Sequence, residues 1–544
     1  MSFCSRRSNA PSCWRWNPFI RRSNGMSSSL KNKKDSIMTQ SSMGAQSVEP
    51  TFYWYDYETF GVDPRKDRPA QFAGRRTRLD FSPLSGDIGE IFYCRPTDDQ
   101  LPNPESCLLT GITPQCCAEK GVCESEFADL IWERLNTPGT VSIGYNTLGF
   151  DDEVNRFLFW RNFLDPYTHS WAKGCSRWDL FPVVCAAWAL RGDTIKWPRW
   201  EDIDPIKYPK AEGRKGVCFK LEFLTKANGI EHGHAHDALS DVEATIGMAK
   251  LLAEREPKLW RWAFENRTTA KVSAAVADMK PVVWVTPKFG IARGCTGIVA
   301  CFFQEKHDCW MWDLSFDPTV LQSLSYEEIK QRLFPSIKER AQGIERLPIR
   351  RLKANASPFV CANLKVLSRE RAQKYGIDLD VAAANLQKLK AVAPAVQTIF
   401  AELAAERRSN DAAAPSVDPD QSLYSGFASS GDKARFVQIR SMTPERLAAE
   451  APKFRFDDQK FAEMLFRFRA RNWPEMLSAE ETERWRQFCA DRVMSGRDGM
   501  LQLSDYFDQI DEAQASGLYD DERHQQVLEA LYDWGETLGN RLSD

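Results

Sequence analysis

No stretch of 18 apolar residues occurs in this 544-residue sequence, so a hydrophobic helical membrane span is not expected. An excess of one charge is also missing: 72 basic residues stand against 75 acidic ones, a formal net charge of -3. Any surface for nucleic acid must therefore come from local segregation of charge. The 15 cysteines show neither Cys-x-x-Cys pairs nor a secretory framework, which favours reduced thiols in a cytosolic compartment. Cys107, Cys116, Cys117 and Cys123 cluster, but their spacing matches no zinc pattern and they read as small apolar residues. The length allows about three or four domains, each with its own core.

What is present is organised around Phe52 to Gly61, Phe-Tyr-Trp-Tyr-Asp-Tyr-Glu-Thr-Phe-Gly. β-Branched and aromatic side chains fill Thr51 to Tyr55 and predict a buried strand. Side chains two apart on a strand share a face, so Asp56 and Glu58 lie side by side. Two carboxylates at the end of an apolar strand repel unless a cation sits between them, and hard oxygen ligands suit Mg²⁺ or Mn²⁺. Asp-x-Glu recurs at Asp151/Glu153, Asp241/Glu243 and Asp520/Glu522, so the pair alone also reads as an exposed polar strand end.

Residues 1–49 are rich in Ser, Asn, Arg and Lys, and only Asp35 and Glu49 are acidic. They are expected to form a disordered tail, a transit leader or a mis-called start, since Met26, Met38 and Met43 offer internal starts. Strands are expected at 51–57, 71–79 and 88–94, the spacing of an antiparallel meander. Helices at 124–135, 152–163 and 180–190, with a strand at 140–145, then imply an α/β sheet of mixed direction. Residues 191–216 read as a surface loop. The segment Ala238 to Leu252 carries a helical apolar stripe that includes Asp241, an acid that must be in an ion pair or at a site. Beyond 256, short strands at 282–285, 298–303 and 309–314 suggest a small barrel, with helices near 325–334 and 378–404. Residues 406–421 read as a linker. The last part, 422–544, reads as helical, with Phe461 to Ala470 and Gln525 to Leu538 amphipathic and an acidic end unsuited to phosphate.

Two more features bear on Asp56 and Glu58. Gly144-Tyr145-Asn146-Thr147-Leu148-Gly149-Phe150-Asp151-Asp152 follows a strand and opens a helix, where an aspartate can hold a metal or cap the helix. His236 stands five residues before Asp241 and could serve as a general base, its ordinary pKa being near neutrality. The alternation His232, His234, His236 leaves zinc ligation as a competing reading, although Gly229 and Gly233 break the segment.

Taken in order, Asp56-x-Glu58, Asn146-x-x-x-Phe150-Asp151 and His236-x-x-x-x-Asp241 resemble the three motifs of the histidine-containing DEDDh branch of the DEDD exonuclease superfamily. Asp56-Tyr57-Glu58-Thr59-Phe60-Gly61, Arg68-Pro69-Ala70-Gln71-Phe72, Leu109 to Pro114, Ser176 to Leu180 and Leu224 to His232 look like the bacterial exodeoxyribonuclease I family, from about Thr51 to near the C-terminus. The resemblance implies a ribonuclease H-like exonuclease domain (50–255), a Src-homology-3-like barrel with helices (256–405) and, after the linker, a C-terminal helical domain (422–544). It implies two Mg²⁺ ions, with Mn²⁺ as an alternative, on Asp56, Glu58, Asp151 and Asp241, and His236 as the base. Asp151 rather than Asp152 is the motif aspartate. Contacts to the terminal nucleotides are implied at Glu58, Phe60, Thr110, Ile112 and Arg177. Implied partners are single-stranded DNA and the acidic C-terminal tail of the single-stranded DNA-binding protein, for a monomer in the bacterial cytoplasm.

The expected activity is 3′-to-5′ hydrolysis of single-stranded DNA to 5′-mononucleotides, in repair and recombination. The alternatives are a proofreading or RNA-trimming DEDDh exonuclease, or a non-catalytic single-strand-binding protein on a nuclease fold. Basic clusters at Arg75/Arg76/Arg78, Arg346/Arg350/Arg351/Lys353 and Arg467/Arg469/Arg471 are candidate phosphate contacts or solvated faces.

Overall fold

The computed structural model describes residues 49–233, 237–413 and 418–543, with the side chains of 410–413 left aside. Residues 1–48, including most of the expected N-terminal extension, lie outside the described residues, and so do His234 and His236.

The first sheet has the order β3-β2-β1-β4-β5, built from β1 (Thr51–Thr59), β2 (Pro69–Arg78), β3 (Glu90–Tyr93), β4 (Thr140–Gly144) and β5 (Ser176–Asp179). β1 runs antiparallel to β2 and parallel to β4, so the sheet is mixed, as expected. Its strands alternate in two directions. Phe52 and Trp54 enter a core with Val183, Val184 and Met248, while Tyr53, Tyr55 and Tyr57 pack with Phe72, Phe127 and Leu158 on the other face. Helices Glu124–Leu135, Asp151–Arg161, Phe181–Arg191 and Ala238–Arg255 cover the sheet. β5 escaped the reading of the sequence because Ser-Arg-Trp-Asp is too short to show alternation.

The second sheet has the order β10-β6-β7-β8-β9, from β6 (Pro281–Val285), β7 (Thr296–Glu305), β8 (Asp308–Asp313), β9 (Ile349–Lys353) and β10 (Phe359–Cys361). Every pairing in it is antiparallel, as a small barrel requires. Its core is continuous with that of the first domain: Val283, Val285 and Tyr375 share a cluster with Leu190, and the Tyr375 hydroxyl donates to Ala189 O at 2.9 Å.

One element differs from expectation. The helix Leu379–Ala413 runs on past 404, through half of the stretch read as a linker. Ala-Glu-Leu-Ala-Ala-Glu-Arg-Arg is helix-favouring sequence, so it continues the helix where composition suggested a break. Asp418 and Asp420 beyond it are buried ion-pair partners rather than linker surface. The C-terminal helices Lys460–Asn472, Ala479–Ser495, Leu503–Ala515 and Glu522–Ser543 pack on the exonuclease domain, where Phe60, Leu108 and Ile112 share a core with Phe466, Trp485 and Leu531. Among the described residues, no helix is long and apolar enough to cross a membrane.

Candidate active site

Asp56 and Glu58 continue the face of β1 that carries Phe52 and Trp54, at the C-terminal end of the strand. β4 pairs with β1 only as far as Trp54↔Ile143, so the two acids stand beyond the last paired residues. The helix Ala238–Arg255 brings Asp241 to them on its first turn. Gln71, across the ladder from Glu58, pins that helix: its Oε1 accepts from Ala238 N at 3.2 Å and its Nε2 donates to the Tyr93 hydroxyl at 2.9 Å. Carboxylate oxygens of Asp56, Glu58 and Asp241 all lie within 4.8 Å of one another. Asp151 joins from the start of the helix Asp151–Arg161, its Oδ1 accepting from Tyr57 N at 3.1 Å.

The electrostatics follow from crowding four acids where water is scarce. Burial raises the Asp56 carboxyl well above the usual range, and the charges of Asp151, Glu58 and Asp241 add to the effect. Burial does the same to Glu58, helped by Asp241, Asp151 and Asp237. Asp151 is pushed up to about 7 by burial, although backbone N–H groups oppose the shift. Among the described residues no lysine or arginine forms an ion pair with Asp56, Glu58 or Asp151. An oxygen-rich donor set that stays ionised only with outside positive charge fits a hard divalent cation.

Asp152 is handled the other way. It is fully buried, and Arg156 Nε at 3.0 Å, His169 Nε2 at 3.1 Å and the Arg177 guanidinium surround it. Against burial, Arg177 and then Arg156 hold its carboxyl well below the ordinary range. Successive residues on a helix point about 100° apart, so Asp151 faces the acids and Asp152 the arginines.

The remaining expected residues fall into two groups. Arg177 lines a cleft of about 630 Å³ with Arg156, Lys353, Arg407, Arg408 and Tyr424, and its Nη2 donates to Asn355 O at 3.1 Å, which ties the cleft wall to the barrel. Phe60 and Ile112 are packed into the core shared with the C-terminal helices. The Thr110 hydroxyl accepts from Ile112 N at 3.1 Å. The exposed member of that turn is Leu109.

One basic cluster is corrected whole and a second in part, since Arg78 stays exposed. Arg467, Arg469 and Arg471 are buried and paired with acids, among them Asp418, Glu481 and Asp99, so they do not face solvent phosphate. Arg75 pairs with Glu243, and Arg76 donates to Thr51, Thr140 and Arg134 O. A run of Arg at alternate positions predicts an exposed face only when no buried acid waits opposite it. The barrel cluster remains cationic: burial lowers the Lys288 pKa, and Lys353, Arg350, Arg351 and Arg346 lower it further.

Three residues of the site were given no such role from the sequence: Gln71 and Asp179 stood only within the family-like stretches, and His232 only in the competing zinc reading. Gln71 anchors the Asp241 helix. His232 meets Asp241, with Nε2 at 2.5 Å from Oδ1 and Nδ1 at 3.2 Å from the Thr225 hydroxyl, while the other two histidines of the alternation lie outside the described residues. Asp179 accepts from the backbone of the turn before Asp151. Their spacing to the motif acids carries no periodic signal, and only the fold brings them close.

Comparison with known proteins agrees with this architecture along its length. Family models match in order: "Exonuclease" over 53–249, "Exonuclease I SH3-like domain" over 266–404 and "Exonuclease I C-terminal domain" over 417–538. Exodeoxyribonuclease I of Haemophilus influenzae is 39% identical over 81% of this chain and 90% of its own length. That of Escherichia coli is 37% identical over 90% of this chain and 98% of its own. Among solved structures, exonuclease I of Methylocaldum szegediense superposes with a TM-score of 0.80 at 37% identity, over 90% of this chain and 99% of that one. The E. coli enzyme in complex with a dA16 oligonucleotide gives a TM-score of 0.79 at 36% identity, over 90% and 100%. With three consecutive domains matched and identity sustained across nearly all of the relatives' length, the chain belongs to the exodeoxyribonuclease I family and is a nuclease of that kind.

Proposed function

We propose that the protein is a divalent-metal-dependent exonuclease that degrades single-stranded DNA from the 3′ end to 5′-mononucleotides, in the repair and recombination of bacterial DNA. The observation that carries this reading is the meeting of Asp56, Glu58 and Asp241 within 4.8 Å, beside Asp151, at the open end of β1. Asp56, Glu58, Asp151 and Asp241 would hold Mg²⁺, two ions per site, with Mn²⁺ as a substitute. Bound cations there would supply Lewis-acid activation of water and neutralise charge on the phosphate and the departing oxygen.

The chain's own groups do the rest. His236 takes the proton of the attacking water, as a neutral imidazole can near pH 7. Glu58, Phe60, Thr110 and Ile112 bound the terminal nucleotides, Phe60 from the end of β1 and the last two from the end of the helix Pro104–Thr110 and the turn after it, with Phe60 and Ile112 braced by the C-terminal core. Arg177 presents positive charge from the cleft wall while Asp152 holds it. The choice of single strands is supported by the E. coli relative, which has been solved in complex with a dA16 oligonucleotide. The acidic tail of the single-stranded DNA-binding protein is the proposed protein partner, and the protein is proposed to act as a cytoplasmic monomer.

The test compares single-stranded DNA, duplex DNA and RNA, each 5′-labelled, with Mg²⁺ and with EDTA. A ladder shortening from the 3′ end on single-stranded DNA alone, abolished by EDTA, is expected. Equal digestion of all three, or cleavage that survives EDTA, would overturn the proposal.

A further inference from the structure

The helix that opens with Asp151 is reached through a tight turn, closed on itself only by Phe150 N donating to Thr147 O at 3.2 Å. Asn146 sits at φ 63°, in the left-handed region, which a residue with a side chain occupies only at a cost. Gly144, just before it, has no room for a side chain: a Cβ there would lie 2.6 Å from Tyr55 O on β1. Backbone of this kind persists only where its surroundings over-determine it. Much of the support from outside the turn comes from one carboxylate. Asp179, at the end of β5, is buried, and its Oδ1 accepts from Asn146 N at 2.9 Å and from Phe181 N at 2.9 Å, while its Oδ2 accepts from Leu148 N at 3.2 Å. Leu180 N donates to Gly144 O at 3.0 Å and closes the same turn from the other side.

We propose that Asp179 is a positioning residue for the nuclease reaction: by binding the amides of Asn146 and Leu148 it fixes the turn that delivers Asp151 to Asp56, Glu58 and Asp241. The proposal rests on the reading of those four acids as the cation-holding group. Among the described residues no lysine, arginine or histidine forms an ion pair with Asp179, so its charge is spent on backbone N–H groups. Those bonds lower its pKa, but burial outweighs them and pushes it up to about 6. A carboxylate kept in such a place does what no neutral side chain of its size can: it accepts three bonds from two separate elements, the turn after β4 and the start of the helix Phe181–Arg191. Asp179 acts on the backbone of this turn, whose Leu148 lines the cleft and whose far end is Asp151, so its effect on the acids passes through Asp151.

Asp179→Asn keeps the volume but replaces one acceptor oxygen by an N–H₂ that cannot accept. The measurement is a calorimetric titration of Mn²⁺ into the DNA-free full-length protein, beside activity on single-stranded DNA at graded Mn²⁺. The half-saturating Mn²⁺ concentration should rise at least about tenfold in both, with KM for DNA within about threefold and turnover partly recovered at high Mn²⁺. A smaller active fraction, which is all that a merely structural role would produce, lowers amplitudes without moving the midpoint, and that result overturns the proposal. Asp151→Asn is the reference. If it shifts the midpoint and Asp179→Asn does not, positioning fails alone; if neither shifts it, the cation-holding reading falls and the proposal with it. Should Asp179→Asn fail to fold, Asp179→Ser, which keeps one acceptor and no charge, carries the same expectation.

Discussion

The acids at the end of β1 are partly withdrawn from water and the acids where the exonuclease domain meets the C-terminal helices almost wholly so, yet it is the first group whose pKa values rise and the second whose values fall. At the junction, Asp99 is met by Arg471 at 2.9 Å, Arg492 at 2.8 Å and Arg68 at 3.4 Å. Asp420 pairs with Arg471 at 2.5 Å and Glu124 with Arg161 at 2.7 Å. Against burial, these guanidiniums hold Asp99, Asp420 and Glu124 below the ordinary carboxylate range. At the end of β1 burial raises Asp56, Glu58 and Asp151, with no arginine among the described residues paired to them. Where the chain supplies its own cations, the acids are structural and the region is a fixed joint. Where it withholds them, the charge is left for something that comes and goes.

Removing an acid from each region should break the comparison in opposite ways. Asp56→Asn is expected to cut turnover on single-stranded DNA by about 10³-fold or more, since cation stabilisation is worth several kcal/mol. DNA binding in EDTA should stay within about threefold, and the melting temperature in EDTA should stay level or rise as repulsion is relieved. A fall in melting temperature would show that Asp56 is paired after all. His236→Ala, in the same region, should lower turnover roughly 10²- to 10⁴-fold with DNA binding intact. Unchanged turnover in that variant removes the histidine from the chemistry.

At the junction the cost should appear as stability. Arg471→Ala strands Asp99 and Asp420 in the interior and should cost roughly 3–5 kcal/mol, read by denaturant unfolding. A loss below about 1 kcal/mol would mean that Arg68, Arg467 and Arg492 suffice without it.

The pH dependence of stability should separate the two regions. A raised carboxyl pKa binds more protons in the folded than in the unfolded state, so its contribution is present below about pH 4. In EDTA the Asp151 contribution should be lost as pH rises from about 4 to about 7, and Asp151→Asn or added Mn²⁺ should flatten that window. Asp99 and Asp420, with lowered pKa values, contribute above their unfolded values near 4 and lose the contribution below that. Unfolding by denaturant across pH 3 to 8 resolves both limbs. The smallest effect belongs to the barrel: if Arg350 contacts phosphate, Arg350→Gln should reduce the slope of log affinity against log salt by about 0.7. An unchanged slope would assign Arg350 to the barrel's own packing over Phe289.

Much of this was legible in the residues. The strands β1, β2 and β4 showed themselves through short runs of β-branched and aromatic residues, which suit a sheet buried on both faces, and the helix bearing Asp241 through its period of 3.6, because it buries one face. The order of the motif acids and the flanking stretches pointed to the family. β5 was not legible, because a four-residue strand has no period, and the parts played by Gln71, His232 and Asp179 were not, because a buried hydrogen bond leaves none in the sequence. The arginines of Lys460–Asn472 misled for a related reason: Arg467, Arg469 and Arg471 look like a basic face until Asp418, Glu481, Asp99 and Asp420 fold against them.

Asp151 and Asp152 mark where sequence stops and structure begins. The sequence by itself determined that β1 ends in two acids on one face, since alternation along a strand is a local property, and that a third motif acid opens a helix after β4. It did not determine which of two adjacent aspartates would find arginines and which would find other acids. Only the tertiary structure decided that, because a turn of about 100° per helical residue aims neighbours at different walls, and the charge on those walls comes from elements far away in the chain.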